Sequence, residues 1–334
     1  MEGKFEEIKQ EILRRAHDAG ACKEQYGRAY KAETMAGLCR VIKDNWGWCC
    51  DWNVVTPDLL EKCREEFAEQ QIYVNVDTGN GFLLASGNAT VEAWDNARVR
   101  ASDNAIVRAW GNATVRASDN ATVEAWDNAR VLAWGTATVE ASGNATVRAS
   151  DNATVEAWGN ATVRASDNAT VEAWDNARVR ASDNATVEAS GNATVRASDN
   201  ATVRAWDNAR VLALGNATVE AWGNATVEAW DNTTVEAWDN ARVLAWGTAM
   251  VRASGNATVR ASDNATVEAS GNTTVEASGN TTVEASGNAY CTSYSMIKCK
   301  LSELALYRVR STNTVYFASD VIKFVKQELI QQKS

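Results

Sequence analysis

Gly87-Asn88-Ala89-Thr90-Val91-Glu92-Ala93-Trp94, followed at once by Asp95-Asn96-Ala97-Arg98-Val99-Arg100-Ala101-Ser102, opens a run of 25 eight-residue units that reaches Ser286 without an insertion. A short period held this long marks a solenoid, in which each unit is too small to bury its own apolar face and stacks on its neighbours to do so. Slot one of the octad is Asp or Gly, slot two nearly always Asn, slot three mostly Ala and slot four mostly Thr. Slot five is Val, slot six Glu, Arg or Leu, slot seven Ala, and slot eight mostly Trp or Ser. Apolar slots three, five and seven alternate with polar slots four and six, which is the period of a half-buried strand rather than of a helix. Slots eight, one and two carry turn chemistry, because Gly and Asn accept a left-handed backbone and Asp can bond a following amide. The expected fold is mainly β, a parallel β-solenoid.

Stacked coils bring like slots together at about 4.8 Å, where opposite charges help and like charges hurt. Two octads per coil would put Glu140, Glu156, Glu172 and Glu188 directly above one another. Three octads give the alternating column Glu92, Arg116, Glu140, Arg164, Glu188. That ladder favours a three-sided coil of about 24 residues, although Ala-Val-Ala is a small filling for a triangle and close packing favours a flatter tube. The same stacking would align Asp103, Asp127, Asp151, Asp175 and Asp199, and likewise Trp110, Trp134 and Trp158.

The flanks read differently. Residues 1–76 form an expected helical N-terminal domain or cap, with Phe5, Ile8, Ile12 and Ala16 on one face of a first helix that stops near Gly20. Thr56-Pro57-Asp58 is an N-cap with Pro at the first helical position. Trp46-Gly47-Trp48-Cys49-Cys50-Asp51-Trp52 makes an aromatic knot, and Ile72–Val76 and Phe82–Ala85 read as strands leading into the octads. The solenoid is expected over 77–318, with Cys291, Cys299, Tyr307 and Val315 continuing slot five, and a helical cap over 319–334. Capping suits both flanks, since an open last coil exposes unpaired strand edges.

The alternating octads, together with Gly20-Ala21-Cys22 and Asp44-Asn45-Trp46-Gly47-Trp48-Cys49, resemble uncharacterised octapeptide-repeat proteins of gut bacteria and their phages. The resemblance covers most of the chain. It implies a β-solenoid with an N-terminal helical cap, and it carries no established activity and no site.

The net charge of −10 arises entirely within the array, whose slot-one Asp and slot-six Glu outnumber its Arg. That argues against direct nucleic-acid binding, which wants a basic stripe. No stretch is apolar and long enough to span a membrane, and the charged segment Met1–Gln10 does not read as a leader. Seven Cys without regular spacing suggest a reducing cytoplasm rather than a disulfide framework.

Candidate chemistry is sparse. The partner-binding candidates are the outward Trp110, Trp134, Trp158, Trp206 and Trp230, with Trp46, Trp48 and Trp52 of the knot. Stacked rings that simply staple the corner are the plainer reading. The Asp103, Asp127, Asp151, Asp175 and Asp199 column is a weak cation candidate, since Ca²⁺ takes several oxygens, but no metal is expected. Rows of Thr at slot four lack the second Thr row of an ice-binding face, and Asn-Ala-Thr copies match the glycosylation sequon through corner and strand needs alone. The single His17 stands on a predicted helix far from the array, and no cysteine has a neighbour set that would activate it. The expected function is that of a non-enzymatic protein-binding solenoid without cofactor, which could be a phage-encoded inhibitor that occludes a host defence protein; the expected partner is a protein, a second copy of this chain, or both. The alternative is a structural fibre or adhesin-like component that binds carbohydrate through Trp ladders.

Overall fold

The computed structural model describes residues 2–318, so the helix expected over 319–334 lies outside the described residues. The described residues form two compact units, one reaching to Arg180 and including Asn184–Thr186, the other comprising Ala181–Asp183 and the residues from Val187 onward. Within each unit the octads are extended from slot four to slot seven, as in Thr138–Ala141, Thr146–Ala149 and Thr154–Ala157, and bend through slots eight, one and two.

Pairing is parallel and skips one octad. Thr138–Ala141 lies between Thr122–Ala125 and Thr154–Ala157, while Thr146–Ala149 lies between Arg130–Ala133 and Thr162–Ala165. A coil is therefore two octads, and the parallel β-solenoid has about 14 turns of roughly 16 residues. This corrects the three-sided coil of 24 residues: Glu140 faces Glu124 and Glu156 instead of Arg116 and Arg164. The reason is volume. Ala137, Val139 and Ala141 are fully buried between the two sheets, as are their counterparts in neighbouring coils. Such side chains fill a thin gap but not a triangle. At about 24 cal/mol per Å³ of unfilled volume, a void of roughly 40 Å³ per coil already matches the at most about 1 kcal/mol that a cross-strand like-charge pair costs. Packing outweighs the charge ladder.

The corners are built by slot one, where all 13 Asp and 12 Gly of the array have positive φ, for example Asp119 at 57° and Gly135 at 70°. The left-handed region costs a non-glycine residue about 1–2 kcal/mol. Asp offsets this by accepting a hydrogen bond from the slot-one amide one coil earlier. Gly87 N donates to Asp103 Oδ2 at 3.0 Å, Gly111 N to Asp127 at 3.2 Å and Gly135 N to Asp151 at 3.1 Å. Slot two adds side-chain ladders, such as Asn104 Nδ2 to Asn88 Oδ1 at 3.3 Å. Where Thr replaces Ala at slot three, the buried hydroxyl donates back to the corner carbonyl, as Thr233 does to Trp230 O at 2.7 Å.

The N-terminal region supplies α1 (Glu2–Asp18), α2 (Lys23–Tyr30), α3 (Met35–Asp44), α4 (Trp46–Asp51), α5 (Pro57–Lys62) and α6 (Arg64–Ala68). Thr34 and Thr56 cap α3 and α5 by accepting from Gly37 N and Leu59 N. The core around Ile12, Leu38, Ile42, Leu60 and Phe67 continues into Ile72 and Leu84. Ile72–Val74 pairs with Phe82–Ala85, which pairs with Arg98–Ala101, so Leu83 and Ala85 enter the octad register opposite Val99 and Ala101. Asp51 at the end of α4 fastens this region to the first coils. Its Oδ2 accepts from Arg116 Nη2 at 2.9 Å, and its Oδ1 lies 3.0 Å from Arg100 Nη1 in an ion pair outside hydrogen-bond angles. The approach is close enough that a Cβ on Gly47 would collide with Arg116 Nη1.

Past Ser286 the tube keeps its register with larger filling: Cys291 faces Val275, Cys299 faces Val283 and Tyr307 faces Cys291. Val315 departs from the expectation. The turn at Asn313, with φ of 53°, sends Thr314–Phe317 back antiparallel along Leu306–Val309, so Val315 faces Arg308 instead of taking slot five. This reversed strand occupies an edge that would otherwise stand open.

A Cβ at Gly135 would lie 3.0 Å from Asp119 N at a φ of +70°. Gly135→Ala is expected to lower stability by about 1–2 kcal/mol, measured by equilibrium denaturation. An unchanged midpoint would contradict the corner geometry.

Candidate functional site

A two-octad coil sorts the outward charges by sheet. In the first unit one sheet carries Thr90–Ala93, Ile106–Ala109, Thr122–Ala125, Thr138–Ala141, Thr154–Ala157 and Thr170–Ala173. Its slot-six residues are Glu92, Arg108, Glu124, Glu140, Glu156 and Glu172. The other carries Arg98–Ala101, Thr114–Ala117, Arg130–Ala133, Thr146–Ala149, Thr162–Ala165 and the strand beginning at Arg178. There slot six reads Arg100, Arg116, Leu132, Arg148, Arg164 and Arg180, and slot four adds Arg98, Arg130 and Arg178. Because strand side chains alternate in direction, slots four and six project away from the shared core on both sheets. One face of this unit is acidic and the opposite face basic.

The acidic face begins with compensation, since Arg108 lies 3.8 Å from Glu92 and 3.4 Å from Glu124. Glu140, Glu156 and Glu172 then follow in cross-strand register with no basic partner among the described residues. Partial burial, then repulsion from Glu140 and Glu172, raises the Glu156 carboxyl above its ordinary value. On the basic face Asp51 takes Arg100 and Arg116, whose guanidinium groups also lie 4.7 and 5.5 Å from the Trp134 ring centre. Beyond that clamp Arg148, Arg164 and Arg180 are exposed and have no carboxylate partner among the described residues. The second unit mixes signs within a sheet: Arg204 lies 3.3 Å from both Glu188 and Glu220, and Arg252 lies 3.0 Å from Glu268.

The tryptophans do not form the column expected of Trp110, Trp134 and Trp158. Sixteen-residue spacing stacks Trp110 between Trp94 and Trp126, with ring centres 4.2 and 4.9 Å away. Trp158 stacks on Trp174 at 5.0 Å, Trp206 on Trp222 at 5.3 Å and Trp230 on Trp246 at 4.4 Å. Neighbouring rings cover one another's faces and present edges to solvent. Among the described residues Trp134 stacks on no other Trp, and it serves the Arg100–Arg116 clamp. In the knot Trp46 is buried edge-to-face against Phe82 at 5.5 Å, Trp48 is half-buried and Trp52 is exposed.

The aspartate column also divides. Asp103 and Asp151 occupy one corner of the first unit, Asp127 and Asp175 the other, and Asp199 belongs to the second unit. The four in the first unit accept from slot-one amides one coil away, Asp175 from Gly159 N at 3.2 Å. Among the described residues no three His, Cys, Asp or Glu side chains group to hold a metal ion.

Burial pushes the Cys39 and Cys49 thiols up to about 12 and raises Cys50 as well. Cys291 donates to the Cys299 sulfur, which raises Cys291 and lowers Cys299. The segments Gly20-Ala21-Cys22 and Asn45 to Cys49 meet around an apolar cavity of about 370 Å³ that Tyr26, Val41 and Trp48 also line. Nothing in the octads signals this cavity or the Asp51 clamp. The charge sorting, in contrast, can be read from slot six at every second octad. No helix among the described residues is long and apolar enough to cross a membrane.

In a labelling experiment on the native protein near pH 8, the exposed Cys22 should react with a maleimide quickly, and Cys39, Cys49 and Cys50 only on unfolding. Rapid native labelling of Cys49 would overturn the buried assignment. No family model matches this chain, and comparison with curated proteins and with solved structures returns no match.

Proposed function

We propose that the protein is a non-enzymatic protein-binding solenoid whose recognition surface is the acidic sheet face of the first unit. The observation that carries this reading is the Glu140–Glu156–Glu172 ladder. Like charges in direct cross-strand register cost a few tenths to about 1 kcal/mol each, and among the described residues no basic side chain offsets them. A cationic surface laid along the ladder would relieve that repulsion, so the same residues that weaken the free fold favour the complex. The resemblance to octapeptide-repeat proteins of gut bacteria and phages supports a host protein as the partner, occluded as a defence protein would be by an inhibitor, within the bacterial cytoplasm.

The triple substitution Glu140→Gln, Glu156→Gln, Glu172→Gln separates this from a purely structural role. It should raise stability by about 0.5–2 kcal/mol at low salt and reduce partner recovery in cross-linking from the native host at least about five-fold. Unchanged recovery, or a loss of stability, would count against the reading. Glu156 has a raised folded pKa, so the folded state binds the extra proton and its destabilising effect is complete above that pKa. Stability should therefore rise as pH falls through the folded value towards the ordinary carboxylate range, and the Glu156→Gln variant should lack that rise.

A groove in the second unit supports the carbohydrate reading as the alternative. The Trp206–Trp222–Trp238 stack ends at Trp238, and Ser254, Ser270 and Ser286 follow at the same slot. They leave a groove of about 420 Å³ beside Glu236, Arg252, Glu268 and Lys300. An uncovered indole face flanked by polar groups suits a sugar ring. Glycan-array binding that Trp238→Ala abolishes would favour it; no binding to any glycan would remove it.

A further inference from the structure

The two faces of the first unit are built from one repeat, and this has a geometric result that no unrelated partner shares. Glu140, Glu156 and Glu172 recur once per coil on one sheet, and Arg148, Arg164 and Arg180 recur once per coil on the other. Both rows therefore have the interstrand period of about 4.8 Å. Within the first unit each open run counts three charges without an opposite charge among the described residues; Arg196, sixteen positions after Arg180, belongs to the second unit. Asp51 and Trp134 already occupy the Arg100–Arg116 end of the basic face, which leaves the Arg148–Arg180 stretch as its open part.

We infer that the occupant of the acidic face is the basic face of a second copy of this chain, with Arg148, Arg164 and Arg180 of one protomer laid along Glu140, Glu156 and Glu172 of the next. This rests on the protein-binding reading and adds a second occupant for the same face, which a host partner would displace. Charge complementarity alone would admit any cation on one side and any polyanion on the other. Commensurate spacing is the additional constraint, because each Arg can meet one Glu without accumulated mismatch only if the partner has the same rise per charge. The phosphates of a nucleic acid follow a different repeat and have no such match to the Arg row. The contact is heterologous, since it joins two different faces, and each added copy presents a fresh acidic face on one side and a fresh basic face on the other. Such a contact generates open, laterally stacked assemblies unless a rotation closes them. It is polar and solvent-exposed, so it should be screened strongly by salt.

Sedimentation velocity on the full chain tests this with a charge swap. Wild-type protein at about 20 mM salt should sediment faster as concentration rises, and at about 500 mM salt should return to a single monomeric species. The basic-face variant Arg148→Glu, Arg164→Glu, Arg180→Glu and the acidic-face variant Glu140→Arg, Glu156→Arg, Glu172→Arg should each lose self-association at least about ten-fold at low salt. Each retains only one sign of face, so an equimolar mixture of the two variants should associate again. Circular dichroism melts establish that both variants fold, and Gln at the same positions replaces any variant that does not. A wild-type protein that stays monomeric at every concentration in low salt overturns the inference, as does a mixture that fails to associate. Binding of a labelled DNA duplex by monomeric wild type, lost in the basic-face variant, also overturns it and assigns the Arg row to nucleic acid. If self-association is absent but the Gln triple variant still loses partner recovery, the protein-binding reading stands and only the second copy as occupant fails.

Discussion

The thin seam of Ala and Val between the two sheets fixes the distance at which they can close, and through it the length of a coil. Two octads fit that gap without voids, and every other regularity inherits the choice. Once the coil is about 16 residues long, each side chain has as its neighbours the residues 16 positions before and after it. Trp110 then meets Trp94 and Trp126, Glu156 meets Glu140 and Glu172, and the amide of Gly135 meets the carboxylate of Asp151. The rings gain contact, the corners gain hydrogen bonds, and the carboxylates gain repulsion. Core packing sets the geometry, and surface charges adapt to it at a cost of tenths of a kcal/mol to about 1 kcal/mol per pair.

Strands, corners and the start of α5 are legible in the sequence because each depends on residues close together along the chain. Val139 between two alanines specifies a strand buried on one side, and Thr56-Pro57 specifies a helix start. Coil length is a different kind of quantity, set by how much volume Ala137, Val139 and Ala141 occupy across the tube. Alternating slot-six charges offered a ladder that pointed to three octads, but exposed charges interact too weakly to override a void. A 24-residue spacing would bring Asp103 to Asp127 and Trp134 to Trp158, pairs that the two-octad coil separates. Asp51 was invisible for another reason, since it meets Arg100 and Arg116 across long stretches of chain with no local signature.

The faces that result differ in kind from the edges. Stacked indoles cover one another, so most Trp rings along the array are already satisfied by their own neighbours. The unpaired charge rows are not, and they occupy opposite sides of a single unit. Recognition by this unit is therefore better sought in charge carried on broad sheet surfaces than in aromatic sockets. In the second unit, Arg204 and Arg252 sit between glutamates and neutralise the corresponding row in place.

The fastening of α4 to the first coils has a consequence for how the chain finds its frame. Near-identical octads make sliding the array by one whole coil almost isoenergetic within the tube, since Ala lands on Ala and Val on Val. The N-terminal segment breaks that translational degeneracy, because Asp51, Trp46 and Phe82 meet partners that no other coil can offer in the same arrangement. A ribosome releases that segment ahead of the array, so the zero of the ruler is set before most of its graduations exist.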